Sequence, residues 1–436
     1  MNATRYASVL GLGFGDCGKG LFVDALARRW QAHTIVRFNG GAQAGHTVVT
    51  PDAHHTFSQF GAATFVPGVQ TLLLDPVIVH PTALLVEAHV LAAAGVSDAL
   101  SRLQIDGQCR ITTPFHQAAG RLRELLRGSA AHGTCGVGVG ETVRHALEHS
   151  DQVLRYANLT HTSAALEKLQ SIRQTLLAEF EPLCSPEHVE ELLVLQSERI
   201  ATEWLNTARA LARQCPPASA EAIHSRLTQA GTVLFEGAQG VLLDEWRGFH
   251  PHTTWSSIST AAVEQVLKRF GIPTQVEHYG VLRTYLTRHG AGPLPTEDAS
   301  LDALLPEPHN TAHGWQGRFR RGHPDAVLLR YALESIGSLS GLLVSHQDVF
   351  ARGVNLQWCH AYQTDAGPLS RLPIAAKPDL EHQQRLTALL LKATPVFDRS
   401  PISSAAAFLD HLASVTSLPV KMTSYGNKDR NVGMEQ

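Results

Sequence analysis

Gly13-Phe-Gly-Asp-Cys-Gly-Lys-Gly20 follows the apolar run Ala7-Ser-Val-Leu-Gly-Leu12 and leads into a helical pattern from Phe22 to Trp30. A strand that passes into a helix through such a turn builds a phosphate site. Its glycines let successive N–H groups close on an anion at the positive end of the helix, and Lys19 adds a full charge. The spacing G-x-x-x-x-G-K is met by Gly13, Gly18 and Lys19, yet Gly20 stands where a Ser or Thr hydroxyl normally holds Mg²⁺. A carboxylate, Asp16, lies inside the loop instead. Among nucleotide phosphates it has the chemistry to ligate a metal or to take a proton from a second substrate.

The surrounding pattern fixes the class. After the helix come a strand-like Thr34-Ile-Val-Arg-Phe38 and a second glycine segment, Asn39-Gly-Gly-Ala-Gln-Ala-Gly-His-Thr47. This is a β-α-β unit, whose parallel strands place both glycine segments at the carboxyl edge of the sheet, so that Asp16 and His46 face one crevice. Further strands are expected at Thr232–Phe235, Gly341–Ser345 and Asn355–Tyr362, and near the end a helix over Ala405–Val415 capped by Ser403 or Ser404, then a strand over Pro419–Met422. Apolar residues at three- and four-residue steps between 164 and 213, interrupted at Pro182 and Pro186, predict an inserted pair of helices ending near Cys215. The expected fold is α/β: one domain over 1–436, P-loop-NTPase-like, with a large mostly parallel central sheet flanked by helices and the helical subdomain at 164–213 inside it.

Composition narrows the partners. The chain has 436 residues, 44% hydrophobic and 17% charged, with a formal net charge of −3. This is enough to bury a large core and gives no basic footprint for nucleic acid or an acidic membrane. Six scattered cysteines without a C-x-x-C pair argue against a disulfide framework or a zinc ribbon and fit a reducing cytoplasm. No segment reads as a signal peptide or a membrane span.

Taken in order, several segments resemble the adenylosuccinate synthetase family, which uses GTP to join aspartate to IMP. They are Gly15-Asp-Cys-Gly-Lys-Gly20, Gly45-His-Thr47, Gly133-Thr134, Phe235-Glu-Gly-Ala-Gln-Gly-Val-Leu-Leu-Asp244, Thr287-Arg-His-Gly-Ala-Gly-Pro-Leu-Pro-Thr-Glu297 and Gly317-Arg-Phe-Arg-Arg-Gly-His-Pro-Asp325. The resemblance implies a catalytic set of Asp16, His46 and Gln239. Asp16 removes the N1 proton of the hypoxanthine ring so that O6 attacks the γ-phosphate. His46 acts as general acid on the leaving phosphate, and Gln239 holds the oxygen at C6. It further implies triphosphate binding by Gly15, Gly18, Lys19, Gly20 and Thr47, and Mg²⁺ ligation by Asp16 and the Gly45 carbonyl. IMP and aspartate contacts fall to Gln43, Thr134, Arg144 (across a homodimer interface), Thr254, Arg318 and Arg320. Guanine contacts fall to Asp348, Ser424 and Gly426.

The chain departs from the family pattern in groups. The Glu after the loop Asp is Cys17, the Lys after the loop is Leu21, and an Asn in the second glycine segment is Gln43. Thr-Thr-Gly-Arg reads Thr134-Cys-Gly-Val137, a Thr pair before the arginines reads Trp315-Gln316, Phe319 breaks the arginine run, and Thr-Lys-x-Asp reads Ser345-His-Gln-Asp348. Loss of anion contacts at both substrate ends leaves open a paralogue of the same chemistry with another amine or nucleotide-like acceptor. A non-catalytic nucleotide-binding module is the reading of a different class, opposed by the retained Asp16, His46 and Gln239.

Overall fold

The computed structural model describes residues 4–273, 275–307 and 314–434. Among them a ten-stranded sheet runs in the spatial order Val432–Met434, Val420–Ser424, Gly341–Ser345, Glu277–Arg283, Thr4–Gly11, Gly231–Glu236, Ala32–Arg37, Gln70–Leu73, Leu103–Asp106, Pro217–Ala218. Every pairing is parallel except that of the edge strand Val432–Met434. The first two strands of the chain are thus parallel but not neighbours, because Gly231–Glu236 pairs with both. The local pattern carried the strand directions, whereas the insertion of a strand from two hundred residues downstream is set by tertiary packing.

Parallel sheets are buried on both faces, so their strands read as apolar runs whose alternate residues serve opposite layers. In Thr4–Gly11, Ala7 and Val9 join one core cluster and Tyr6 and Leu10 the other. The helix Lys19–Arg29 covers the first face through Phe22, Val23 and Leu26. The helices Ala326–Ile336 and Ala405–Val415 cover the second, the latter capped by the Ser404 side chain.

The inserted region holds three helices rather than two: Thr162–Phe180, Val189–Gln196 and Glu198–Gln214, the last ending at Cys215. Leu169, Ile172, Leu176, Phe180, Trp204 and Leu205 are buried in the same cluster as the first face of the sheet. Val189 and Leu193, expected on the packed stripe, lie exposed instead, because their short helix turns Leu195 inward. The strand expected over Asn355–Tyr362 begins only at Cys359. It belongs to a separate antiparallel sheet with Gly367–Leu369 and Thr394–Phe397, since Leu356 is tied to Ile402 outside any ladder. No helix among the described residues is long and apolar enough to cross a membrane.

Candidate active site

The loops of Asp16, of Gln43 and His46, of Gln239 and of Asp348 leave the carboxyl ends of central strands, whereas Thr134 and Arg144 lie after and on helices and Arg318 and Arg320 lie at the separate hairpin strand Phe319–Gly322. The loop after Thr4–Gly11 holds Gly15 (φ 93°), Asp16 (φ 47°) and Gly18 (φ 89°). Left-handed residues of this kind turn backbone N–H groups into an anion-binding concavity at the start of the helix Lys19–Arg29. Four non-glycine residues among those described have positive φ, and three of them are Asp16, Gln239 and His346. Each closes a different strand of the crevice, a distribution typical of backbone strain held at a working site.

The Asp16 carboxylate meets His289 Nε2 at 3.3 Å and keeps 29% of its side-chain exposure. Desolvation works to raise its pKa, but the His289 hydrogen bond and the charges of His289, Arg283 and Lys19 outweigh this and hold it below the ordinary value. Arg283 is itself fixed by Glu307 at 2.5 Å. Lys19 is buried and turned onto the Gln239 carbonyl, with Cys17 Sγ 3.7 Å away. Leu21, in place of the family lysine, packs into the core.

His46 opens the strand His46–Val49, and its Nδ1 makes a short hydrogen bond to the fully buried carboxylate of Glu236. The other Glu236 oxygen accepts the Ala62 N–H at 3.0 Å. Burial lowers His46 to about 4, Glu236 opposes that shift, and Arg37 and Lys19 add to it. For Glu236, desolvation is outweighed by the interaction with His46, the Arg37 charge and the Ala62 N–H, and the carboxyl stays below its ordinary value. The pair rests as carboxylate and neutral imidazole. Gly20 explains the missing Walker hydroxyl: a Cβ there would stand 3.1 Å from both His46 Cβ and the Thr47 carbonyl. The first helical turn and the His46 strand need that closeness. Thr47 bonds Thr56 at 2.8 Å, and Gly45 is exposed just before His46.

The Gln239 amide lies against Gly40, and both of its polar atoms are buried without a hydrogen-bond partner among the described residues. The same holds for Gln43, beside Gly41. Buried amides left unpaired are costly, and a ligand with ring N–H and C=O groups would satisfy them. Asn39 staples the two loops, accepting the Ala238 N–H at 2.8 Å and donating to the Ser257 carbonyl at 3.0 Å. Thr254 is tied through its N–H to the Leu243 carbonyl at 2.8 Å.

The substrate-end residues are arranged less simply. Thr134 is exposed, and the N–H groups of Gly133 and Thr134 point at the buried Glu124 carboxylate, at 2.8 and 3.4 Å. Trp315 lies directly on Gly136, where a Cβ would come within 2.5 Å of the indole, and Arg121 stands 5.5 Å over the same ring. Two departures remote in sequence, Thr134–Val137 and Trp315–Gln316, are therefore in contact. Phe319 is buried against His289, ring centroids 4.7 Å apart. Arg318 and Arg320 both reach Glu297. Gly292, at φ 102°, leaves room for the Arg288 guanidinium, which binds the Ala291, Pro293 and His252 carbonyls and shapes this loop. Arg144 is held within its own chain by Glu141, Glu148 and Glu179.

At the opposite end, Ser345 Oγ donates to the Cys17 carbonyl at 2.8 Å, which docks the loop of Asp348 onto the phosphate loop. Ser424 is buried beside it and its carbonyl accepts the Gln347 N–H at 2.9 Å. Asp348 pairs with Arg352 at 3.4 Å, and Gly426 packs on Asn431.

The sequence alone assigns no role to His289, Arg283, Glu297 or Glu124, and Glu236 stands in it only as part of the Phe235–Asp244 motif. The signals are the places of His289 and Glu297 within Thr287–Glu297 and of Glu236 three residues before Gln239, whereas Arg283 and Glu124 lie outside every quoted motif.

The adenylosuccinate synthetase family model matches residues 8–432. The adenylosuccinate synthetase of Thioalkalivibrio sulfidiphilus (strain HL-EbGR7) is 32% identical over 98% of both chains, and that of Synechococcus sp. (strain RCC307) is 30% identical over 98% of this chain and 96% of the relative. Among solved structures, the fully ligated adenylosuccinate synthetase from Plasmodium falciparum superposes with a TM-score of 0.81 at 20% identity, covering all of both chains. The succinoaminodeoxyadenylate synthetase of cyanophage S-2L, bound to dGMP and dATP, gives 0.61 at 15% identity over 99% of this chain and 95% of that one. The phosphate loop with its internal carboxylate, the matched sheet and nearly full-length relatives give one conclusion: this chain belongs to the adenylosuccinate synthetase family.

Proposed function

We propose that this chain is a GTP-dependent ligase that forms a C–N bond between L-aspartate and IMP in purine nucleotide biosynthesis. The observation that carries the reading is the meeting of an ionised Asp16, the Glu236–His46 pair and the unpartnered Gln239 amide around one phosphate loop. Binding a nucleotide needs only the loop and Lys19. Moving a proton on a ring amide needs the rest.

In this reading Asp16 takes the N1 proton of IMP, and O6 attacks the γ-phosphorus as GDP departs. His46, held by Glu236 through Nδ1, presents Nε2 to the triphosphate. The phosphate charge favours the imidazolium, which donates to the leaving oxygen. Gln239 donates to the oxygen at C6. The aspartate amine then adds at C6 and phosphate leaves. Arg318 and Arg320 suit the aspartate carboxylates because a guanidinium fork matches a carboxylate bidentately. Gln43, Thr134 and Thr254 face the IMP side, while Asp348, Ser424 and Gly426 face guanine.

Mg²⁺ would be held by hard oxygen donors, the Asp16 carboxylate kept in its charged form and the carbonyl of the exposed Gly45. Bound there, it would neutralise charge on the transferring phosphoryl group. Family membership supports a cytoplasmic homodimer. Arg144, whose Nε and Nη1 pair with Glu148, Glu141 and Glu179, would serve across its interface through Nη2. The test is incubation of purified protein with GTP, Mg²⁺, IMP and a panel of amino acids, with mass analysis. An aspartyl adduct is expected, and turnover of GTP with no adduct from any amine overturns the reading.

A further inference from the structure

The two arginines that meet the amino acid in the reading above are already bound to a carboxylate of their own chain. Arg318 Nη2 and Arg320 Nη1 take one oxygen each of Glu297, the second at 2.7 Å. The backbone of Glu297 is pinned, its N–H on the Leu294 carbonyl at 2.9 Å and its strand bridge to Gly322 formed. The side chain, 27% exposed beside an Arg318 that is 52% exposed, has room to swing. Arg320 is anchored by a 2.7 Å bond from Nη2 to the Gly292 carbonyl, while its Nε is buried without a partner among the described residues. Glu297 thus satisfies the fork only in part.

We propose that Glu297 is an internal rival for the carboxylate of the amino-acid substrate, occupying the Arg318–Arg320 fork until that substrate displaces it. This rests on the reading of the site as an aspartate ligase. A free dicarboxylate brings two carboxylates, and one of them reaches the Arg320 Nε–H that Glu297 leaves unmet, so the substrate wins on geometry. Glu297 sets the concentration at which it does so. The arrangement also selects against amines without a carboxylate, which have nothing with which to dislodge Glu297.

The experiment compares wild type with Glu297→Gln in GTP, IMP and aspartate titrations. It also measures succinate binding by calorimetry, which needs no turnover. With the rival charge gone, KM for aspartate and Kd for succinate fall roughly threefold to tenfold, the scale of two partly exposed ion pairs, while KM for IMP holds. Asp302→Asn is the control, because Asp302 faces Arg318 at 3.4 Å and Arg321 at 2.8 Å but not Arg320. An equal fall in that variant means a general field effect and overturns the proposal, as does an unchanged or raised KM and Kd in Glu297→Gln. If wild type makes no aspartyl adduct, the ligase reading fails first and this role with it. An adduct formed with unaltered constants in the variant defeats the rival role alone.

Discussion

Replacing Glu236 by Gln removes a fully buried negative charge that holds His46 through Nδ1 and also accepts the Ala62 N–H at 3.0 Å. The amide has one acceptor and one donor end, so it serves either the Ala62 N–H or the His46 Nδ1–H, never both. The imidazolium therefore loses a charge-assisted hydrogen bond of about 1.5–3 kcal/mol, equivalent to roughly a 10- to 150-fold fall in kcat. Nucleotide affinity should change little, since the phosphate loop and Lys19 remain. The pH profile supplies a second readout. A general acid works protonated, so kcat falls as pH rises through its pKa in the complex. Glu236 favours the protonated imidazole, and its removal moves that alkaline limb to lower pH. Steady-state kinetics from pH 5.5 to about 9, alongside a melting curve to confirm folding, test the claim. A folded variant with kcat within about twofold of wild type, or an unmoved limb, refutes the assignment of Glu236 to His46.

Three further outcomes follow from the same geometry. Asp16→Asn should cut turnover by about 10²–10⁴-fold, the usual worth of a general base, while GTP affinity measured by calorimetry stays within a few-fold; equal loss of both marks a structural role. Gly20→Ser, which restores the ordinary P-loop residue, places a Cβ 3.1 Å from His46 and the Thr47 carbonyl. It should destabilise the fold by about 1–3 kcal/mol and depress kcat, and a stable, fully active variant contradicts the packing argument. Burial lowers His46 to about 4 and both His116 and His346 to about 3. Between the ordinary value of 6.5 and those values the unfolded chain binds more protons than the folded one, so stability is lost as pH falls through that window. Urea midpoints from pH 7 to about 4 should decline with a shallower slope in His116→Asn; a flat wild-type profile would be inconsistent with neutral buried histidines.

Much of this was legible in the chain because it depends on local order. The phosphate loop is written in glycine spacing, and the strands at 232–235 and 341–345 in apolar runs bounded by polar loops. The Ser404 cap could be read from a hydroxyl placed before an apolar period. What escaped depends on contacts between distant segments. His289 reaches Asp16 because the hairpin Leu286–His289 with Phe319–Gly322 folds over the loop. Trp315 meets Gly136 across nearly two hundred residues. Glu297 and Glu124 look like ordinary solvated charges until the structure shows them in arginine and N–H clusters that the resemblance assigns to substrate anions. The insertion reads as two helices rather than three because the break at Ser197, between Val189–Gln196 and Glu198–Gln214, carries no proline or glycine to mark it.

The central claim is that Asp16 primes the ring amide so that its oxygen, rather than water, receives the γ-phosphoryl group. The most direct measurement uses IMP labelled with oxygen-18 at C6, together with GTP, Mg²⁺ and aspartate, and follows the label by mass. Transfer of one labelled oxygen into each released phosphate, matched by one aspartyl adduct and abolished in Asp16→Asn, is the predicted result. Phosphate that carries only solvent oxygen while the adduct still forms would contradict the account.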